Sequence, residues 1–293
     1  MKNQPSVSVV IPTYNYGQYI KDAINSALEQ TLPPCEIIVA DDGSTDNTAE
    51  IVAEYGDKVR YIRYEHKGIC QLRNALLDEI KGDWFVNLDA DDYLAKDFIE
   101  QSLAVAVSGD ERIAVVYPDR NSFGAEEFEV ISEEFSIQKM KRRNLIVMDS
   151  LINTAAAREV RFDVAFASGL EDYDFFLGLI NVGYIAKAQH KSRVFCRTHK
   201  RSRTSAVNKD VYRSNRLMKQ MVLKYPQLFS KEEARDALDY YNVPIAMRMH
   251  LVQLWKENRI FFMVLYAIKY FFIVLFHPWW IISDIRRIKF LNK

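Results

Sequence analysis

The chain reads as an α/β protein: a mostly parallel central sheet flanked by helices, followed by a C-terminal helical extension. Three observations predict this. Short apolar, β-branched runs alternate with stretches of helical spacing through the first 120 residues. Two of those runs end in aspartates, as at the functional rim of a parallel sheet. Beyond residue 208 the strand signals give way to helices with mixed faces.

Residues 6–11, SVSVVI, are the first predicted strand, apolar enough to be covered on both faces. From Tyr19 to Leu28 apolar residues fall at 19/20, 23/24 and 27/28, a helical spacing. EIIVA (36–40) is a second strand. Asn47 to Glu50 has the spacing of a capping box without Ser or Thr at its head, and Gly56 closes that helix. VRYIRYE (59–65) alternates as a strand, ICQLRNALLDEI (69–80) is helical and ends at Gly82, and WFVNL (84–88) and IAVVYP (113–118) are strands. Strands and helices in alternation at short intervals signal βαβ units. Residues 120–200 are less regular, and 209–258 read as helices.

Composition narrows the function. The chain has 293 residues, with 39 Lys and Arg against 39 Asp and Glu, and 49% of it is hydrophobic. That sustains a full core and argues against a nucleic-acid partner, which a basic excess would mark. Cys35, Cys70 and Cys196 are odd in number and widely spaced, so neither a disulfide framework nor a zinc site is expected, and a reducing compartment fits. The N-terminus shows no signal-peptide core.

The chemistry concentrates at FVNLDADDYL (85–94), where Asp89, Asp91 and Asp92 crowd a strand end. Asp41 and Asp42 follow the strand 36–40. In a parallel sheet both clusters line one rim, where ligands bind. Hard divalent cations take such oxygen ligands, commonly one or two carboxylates plus substrate phosphates. Asp92 reads as the cap of the next helix. A dehalogenase-type phosphatase would carry Thr or Val where Tyr93 stands, and on an earlier strand. A sugar nucleotidyltransferase would open with a glycine-rich run, and a receiver domain has its acidic pair after its first strand.

VSVVIPTYNYGQYIKDAINSALEQT, EIIVADDGSTDNTAEIV, GICQLRNALLDEIKGDWFVNLDADDYL and GLEDYDFFLGLINVGY together resemble, in order and spacing, the family 2 glycosyltransferases of GT-A fold. The resemblance covers about residues 6–205. It implies an inverting enzyme that uses a nucleotide-sugar donor, with UDP- or dTDP-type donors favoured, and Mg²⁺ or Mn²⁺. Pro12, Thr13, Tyr14, Asp41 and Asp42 would hold the nucleotide base, with Asp42 accepting from its ring N–H. Arg73 would approach the nucleotide, although Leu72 stands where the family has alanine. Asp89 would bind the ribose and Asp91 the metal. Asp172 would be the general base and Glu171 its companion; Gly178 replaces an arginine usual in the family. His199 would contact the metal or diphosphate, and Arg197, Lys200, Arg201 and Arg203 would favour phosphate. The alternatives are another nucleotide-sugar enzyme, such as a nucleotidyl- or phosphotransferase, and a non-catalytic glycan-assembly subunit.

A glycosyltransferase domain is thus expected over 1–205 and a helical extension over 206–293. Residues 260–282 are apolar nearly all round, interrupted by Lys269, and are followed by Arg286, Arg287, Lys289 and Lys293. A lysine at the centre of a span costs about 3 kcal/mol, so peripheral contact with the inner face of the cell membrane is expected, with a true span and a helix buried against the rest of the protein or in a dimer as the alternatives. The expected acceptor is a glycan or lipid-linked hydroxyl in cell-surface polysaccharide synthesis.

Overall fold

The structure, a computed structural model, describes residues 4–199 and 211–240, together with Val264. The chain divides into two compact units, Met1–Lys200 and Arg201–Lys293.

The first unit is built on a nine-stranded sheet. β1 (Val7–Thr13), β2 (Glu36–Asp41), β3 (Arg60–Arg63) and β4 (Trp84–Asn87) run parallel in the order β3-β2-β1-β4. Helices α1 (Ile20–Leu28), α2 (Thr48–Ala53) and α3 (Ile69–Glu79) make the three crossovers. Every residue of β1 is buried, as a central strand covered by helices requires. Pro12 is accommodated in β1 because pairing with β4 reaches only Val10, so no ladder bond on that side needs its missing N–H.

Beyond β4 the sheet becomes mixed. β8 (Leu151–Asn153) lies antiparallel to β4, and β6 (Ile113–Gly124) antiparallel to β8. β9 (Ile185–Thr198) runs parallel to β6, with the short β5 (Tyr93–Leu94) at its far edge and β7 (Phe128–Val130) paired to β6. The predicted strand 113–118 thus extends to Gly124. It passes Pro118 by shifting register between Pro118 and Asp119, the irregularity that a residue without N–H tolerates. The helices α4 (Phe98–Ala106), α5 (Ile137–Met140), α6 (Thr154–Val160) and α7 (Glu171–Asn181) complete this unit. Its core gathers Val9 and Ile11 of β1, Ile20 and Ile24 of α1, Val86 of β4 and Phe98 of α4, all 0% exposed.

Two local expectations are corrected. Asp92 does not cap α4: that helix begins at Phe98 behind Asp97, and the Asp92 carboxylate instead accepts the Arg197 N–H at 2.7 Å. Nor does the Asn47 side chain cap α2. Asp46 serves there, accepting from Thr48 N–H (3.1 Å) and its hydroxyl (2.5 Å), because a carboxylate one residue earlier reaches both donors.

In the second unit, α8 (Val211–Lys224) and α9 (Lys231–Tyr240) are helical as expected. Leu217, Met218, Met221, Val222, Tyr225 and Phe229 are buried. Ser230 and Glu233 form a reciprocal capping box, each side chain accepting the other's N–H at 3.1 and 2.9 Å. The stretch 260–282 lies outside the described residues except for Val264, as do Arg201 and Arg203. Among the described residues no helix is long and apolar enough to cross a membrane.

Candidate active site

Because β1, β2 and β4 are parallel, their carboxyl ends open on one edge, and the predicted site residues stand there. Thr13 at the end of β1 is in register with Asp41 at the end of β2. Asp41 is fully buried: one oxygen accepts Ser44 N–H at 2.7 Å and the other the Tyr61 hydroxyl. Burial first, and that bond second, push the Tyr61 phenol up to about 12. Asp41 therefore braces the turn from within. Gly43, at φ +85°, allows this turn, and a Cβ there would meet His66 N at 3.2 Å.

Asp42, also buried, meets a different set of groups. Its oxygens accept Lys67 N–H (2.8 Å) and Gly68 N–H (2.9 Å), and His66 Nδ1 lies 3.0 Å away. The His66 ring stacks on Tyr14, which is 41% exposed, with centroids 4.3 Å apart. Tyr14, His66 and Asp42 thus form an aromatic ledge beside a carboxylate. Pro12 is buried beneath it, and the buried Thr13 hydroxyl has no hydrogen-bond partner.

After β4 the chain turns sharply, Asp92 N–H bonding the Asp89 carbonyl at 3.0 Å. Asp89 is half-exposed, while its N–H donates to the buried Asp149 carboxylate at 2.8 Å. Asp91 Oδ2 lies 2.7 Å from His199 Nε2, so a predicted pair separated by 108 positions meets. Burial, with Asp89 and then Asp91 nearby, pushes the Asp92 carboxyl up to about 8. Burial, Asp89 and Asp92 likewise hold the Asp149 carboxyl well above the usual range. So much like charge calls for a cation, and an oxygen-rich set joined by one imidazole suits Mg²⁺ or Mn²⁺. Asp92, Asp149 and Cys196 also offer ligand atoms within 4.8 Å of one another. There the thiol is held protonated by burial and by Asp149 and Asp92, which makes it a poor ligand.

Arg197 does something other than the sequence suggests. Its guanidinium lies between the rings of Tyr19 (4.6 Å) and Phe123 (4.4 Å) and reaches Asp22 at 2.9 Å. Its Nε donates to the Asp91 carbonyl at 3.2 Å. It clamps the aspartate turn instead of standing ready for phosphate.

The acidic pair Glu171–Asp172 opens α7, after Leu170 turns the chain in a left-handed conformation (φ 65°). Glu171, 2% exposed, accepts from Arg73 Nη1 at 3.4 Å, and Arg73 Nη2 donates to Asp89 at 3.3 Å. One buried guanidinium on α3 therefore ties the strand-end aspartate to the helix-end glutamate. Arg73→Met is expected to lower stability by about 3–5 kcal/mol, because it strips a buried carboxylate of its counter-ion. Thermal unfolding of this variant and of Arg73→Met/Glu171→Gln checks the reasoning. The double variant should regain most of the stability without regaining turnover, and an unchanged melting temperature in the single variant would contradict the buried pairing.

Sequence reasoning missed Tyr61, His66, Asn144 and Asp149. His66 stands two residues before Gly68, just outside the matched segment that begins there, so no motif marked it. Asn144 and Asp149 lie in the stretch 141–150, without regular structure or motif, and nothing local marks them.

Residues 8–168 match the family described as Glycosyl transferase family 2. The chain belongs to that family, has its GT-A fold and is a glycosyltransferase. It is 31% identical over 220 residues to the chondroitin synthase of Pasteurella multocida, covering 72% of this chain and 22% of that protein. It is 31% identical over 198 residues to the hyaluronan synthase of Pasteurella multocida, covering 65% and 20%. It thus spans about a fifth of the length of these curated relatives. Among solved structures, Staphylococcus aureus TarS 1–349 in complex with UDP-GlcNAc superposes with a TM-score of 0.63 at 21% identity, covering 80% of this chain and 71% of that one. The mannosyltransferase PcManGT of Pyrobaculum calidifontis, in complex with GDP-Man and Mn²⁺, gives 0.62 at 18% identity, covering 98% and 88%.

Proposed function

We propose that this protein is an inverting, metal-dependent glycosyltransferase that moves a sugar from a nucleoside-diphosphate donor to a hydroxyl of a glycan or lipid-linked acceptor. The observation that carries this is the Arg73 bridge, which joins Asp89 of the aspartate turn to Glu171 beside the candidate base. Tyr14 and His66 offer a face for the nucleotide base, and Asp42 accepts its ring N–H, the feature that favours uracil or thymine. Asp41 braces the loop from within, and Pro12 and Thr13, buried at the end of β1, complete the base-side group. Asp89 takes a ribose hydroxyl. Asp91 and His199 would hold Mg²⁺ or Mn²⁺, which supplies charge neutralisation to the departing diphosphate.

Asp172 accepts the proton of the acceptor hydroxyl. That oxygen forms its bond to the anomeric carbon while the carbon–phosphate-oxygen bond breaks, and the bonding pair leaves with the nucleoside diphosphate. Attack opposite the leaving group inverts the anomeric centre. Relatives named chondroitin and hyaluronan synthases favour a polysaccharide acceptor. We assign the transferase domain to 1–205 and the extension to 206–293. The apolar stretch 260–282 and its trailing cations favour peripheral contact at the inner membrane face.

Diphosphate release from a panel of nucleotide sugars, with Mg²⁺, Mn²⁺ or EDTA, tests the reading; release that EDTA leaves untouched would remove the metal from it. Within the panel, Asp42→Ala should weaken uridine and thymidine nucleotides by about 1.5–3 kcal/mol, the scale of a hydrogen bond to a charged group. Titration calorimetry reads this directly, and an equal loss for every base would reduce Asp42 to a brace for Lys67 and Gly68.

A further inference from the structure

We propose that Asn144 is a positioning residue for the base: it fixes the orientation of Asp172 and keeps its carboxylate ready to accept a proton. The assignment rests on Asp172 being the base, and it adds a residue that no motif marks. Asn144 Nδ2 donates to Asp172 Oδ2 at 3.1 Å. The other oxygen, Oδ1, accepts the N–H of Tyr173 at 2.7 Å. The amide of Asn144 has one orientation here, because its own Oδ1 accepts Ile146 N–H at 3.1 Å and so turns the NH₂ toward Asp172.

The support behind Asn144 is firm. Tyr173, the next residue of α7, donates its hydroxyl to the Met140 carbonyl at the base of the same stretch, and Leu145 N–H lies 3.3 Å from Met140 Sδ. At the far end of the stretch, Asp149 accepts the Asp89 N–H. One irregular stretch, 141–150, therefore holds the base at one end and the ribose-side aspartate at the other. A neutral amide is the suitable residue. It donates to the charged form of Asp172, which favours ionisation, yet it cannot compete for the substrate proton as a second carboxylate would. The ionisable groups beside Asp172 on its own helix are Glu171 and Asp174; Arg73 on α3 meets Glu171, and Lys141, Arg142 and Arg143 precede Asn144 along its stretch, Arg143 pairing with Glu133.

The test uses the full chain and two variants. Asn144→Leu removes the donor, and the nearly isosteric Asn144→Asp replaces it with a like charge. The Asp172 carboxyl carbon, ¹³C-labelled and assigned by its loss in Asp172→Asn, is titrated by NMR without divalent cation. Its midpoint should rise by about one pH unit in Asn144→Leu, the equivalent of losing one such bond, and further in Asn144→Asp. UDP release from UDP-GlcNAc with Mn²⁺ serves as the second readout. There kcat should fall about 10- to 100-fold with little change in KM, and the acid limb of the pH–rate profile should move to higher pH. Identical Asp172 midpoints in all three proteins would overturn the proposal, as would a fall in rate that is the same at every pH. Full turnover by Asp172→Asn is a separate outcome: it defeats the choice of base even where the midpoint moves.

Discussion

Asp91→Ala is expected to reduce turnover by on the order of 10³-fold or more and to weaken donor binding as well. The argument starts from crowding. Asp89, Asp91, Asp92 and Asp149 stand close enough that burial and mutual repulsion drive two of them, Asp92 and Asp149, toward the protonated form. Asp91 is the member that meets an imidazole, His199, at 2.7 Å and remains within reach of solvent. Removing it takes away one oxygen of that pair and leaves the diphosphate's charge without its counterweight, a stabilisation of several kcal/mol at the departing group. The same change should not harm the fold, since it relieves repulsion at a rim. Circular dichroism, donor titration with Mn²⁺ and steady-state turnover separate these effects. A variant that binds donor as the parent does and turns over at more than a tenth of its rate would show that Asp91 is not the anchoring carboxylate.

Asp172→Asn is expected to cost about 10²–10⁴ in rate, the usual share of general base catalysis, while donor affinity stays close to the parent's. Asparagine keeps the shape of the side chain, and its one oxygen can still accept the Tyr173 N–H, although its NH₂ then replaces the oxygen that the Asn144 amide meets; α7 should start where it does now. What it cannot do is take a proton. Glu171 offers no ready substitute: it is buried to 2% exposure and engaged by Arg73. Parallel measurement of turnover and of donor dissociation decides the matter. A donor affinity that falls as far as the rate would place Asp172 at the donor and reopen the identity of the base.

In the parallel half of the sheet β1, β2 and β4 were legible from residues because they are buried on both faces. SVSVVI, EIIVA and WFVNL announce themselves by composition, and the observed strands lie within two residues of them at either end. The mixed half was not. β5, β7 and β8 are two or three residues long, too short for periodicity to register. β9 was hidden for another reason: its 14 residues show no regular alternation of buried and exposed positions. Asp92 deceived for a physical reason too. An aspartate before an apolar helical pattern is ordinarily a cap, but here a strand arriving 105 positions later supplies a backbone N–H that local reading cannot foresee.

By itself the sequence determined the class of fold, the family to which the chain belongs and the two strand ends that carry its carboxylates, because these depend on burial patterns and turns that short stretches encode. Only the tertiary structure decided how those carboxylates divide their tasks. Asp41 and Asp42 are neighbours of one residue type, yet one braces a turn from the interior and the other receives a loop from β3's far end. Glu171 and Asp172 are likewise adjacent, yet Arg73 reaches the first and Asn144 the second. These differences arise from partners 20 to 98 positions away, brought in by a sheet whose order interleaves early and late strands. A carboxylate's role follows from which donor meets it, and that is a property of the folded chain.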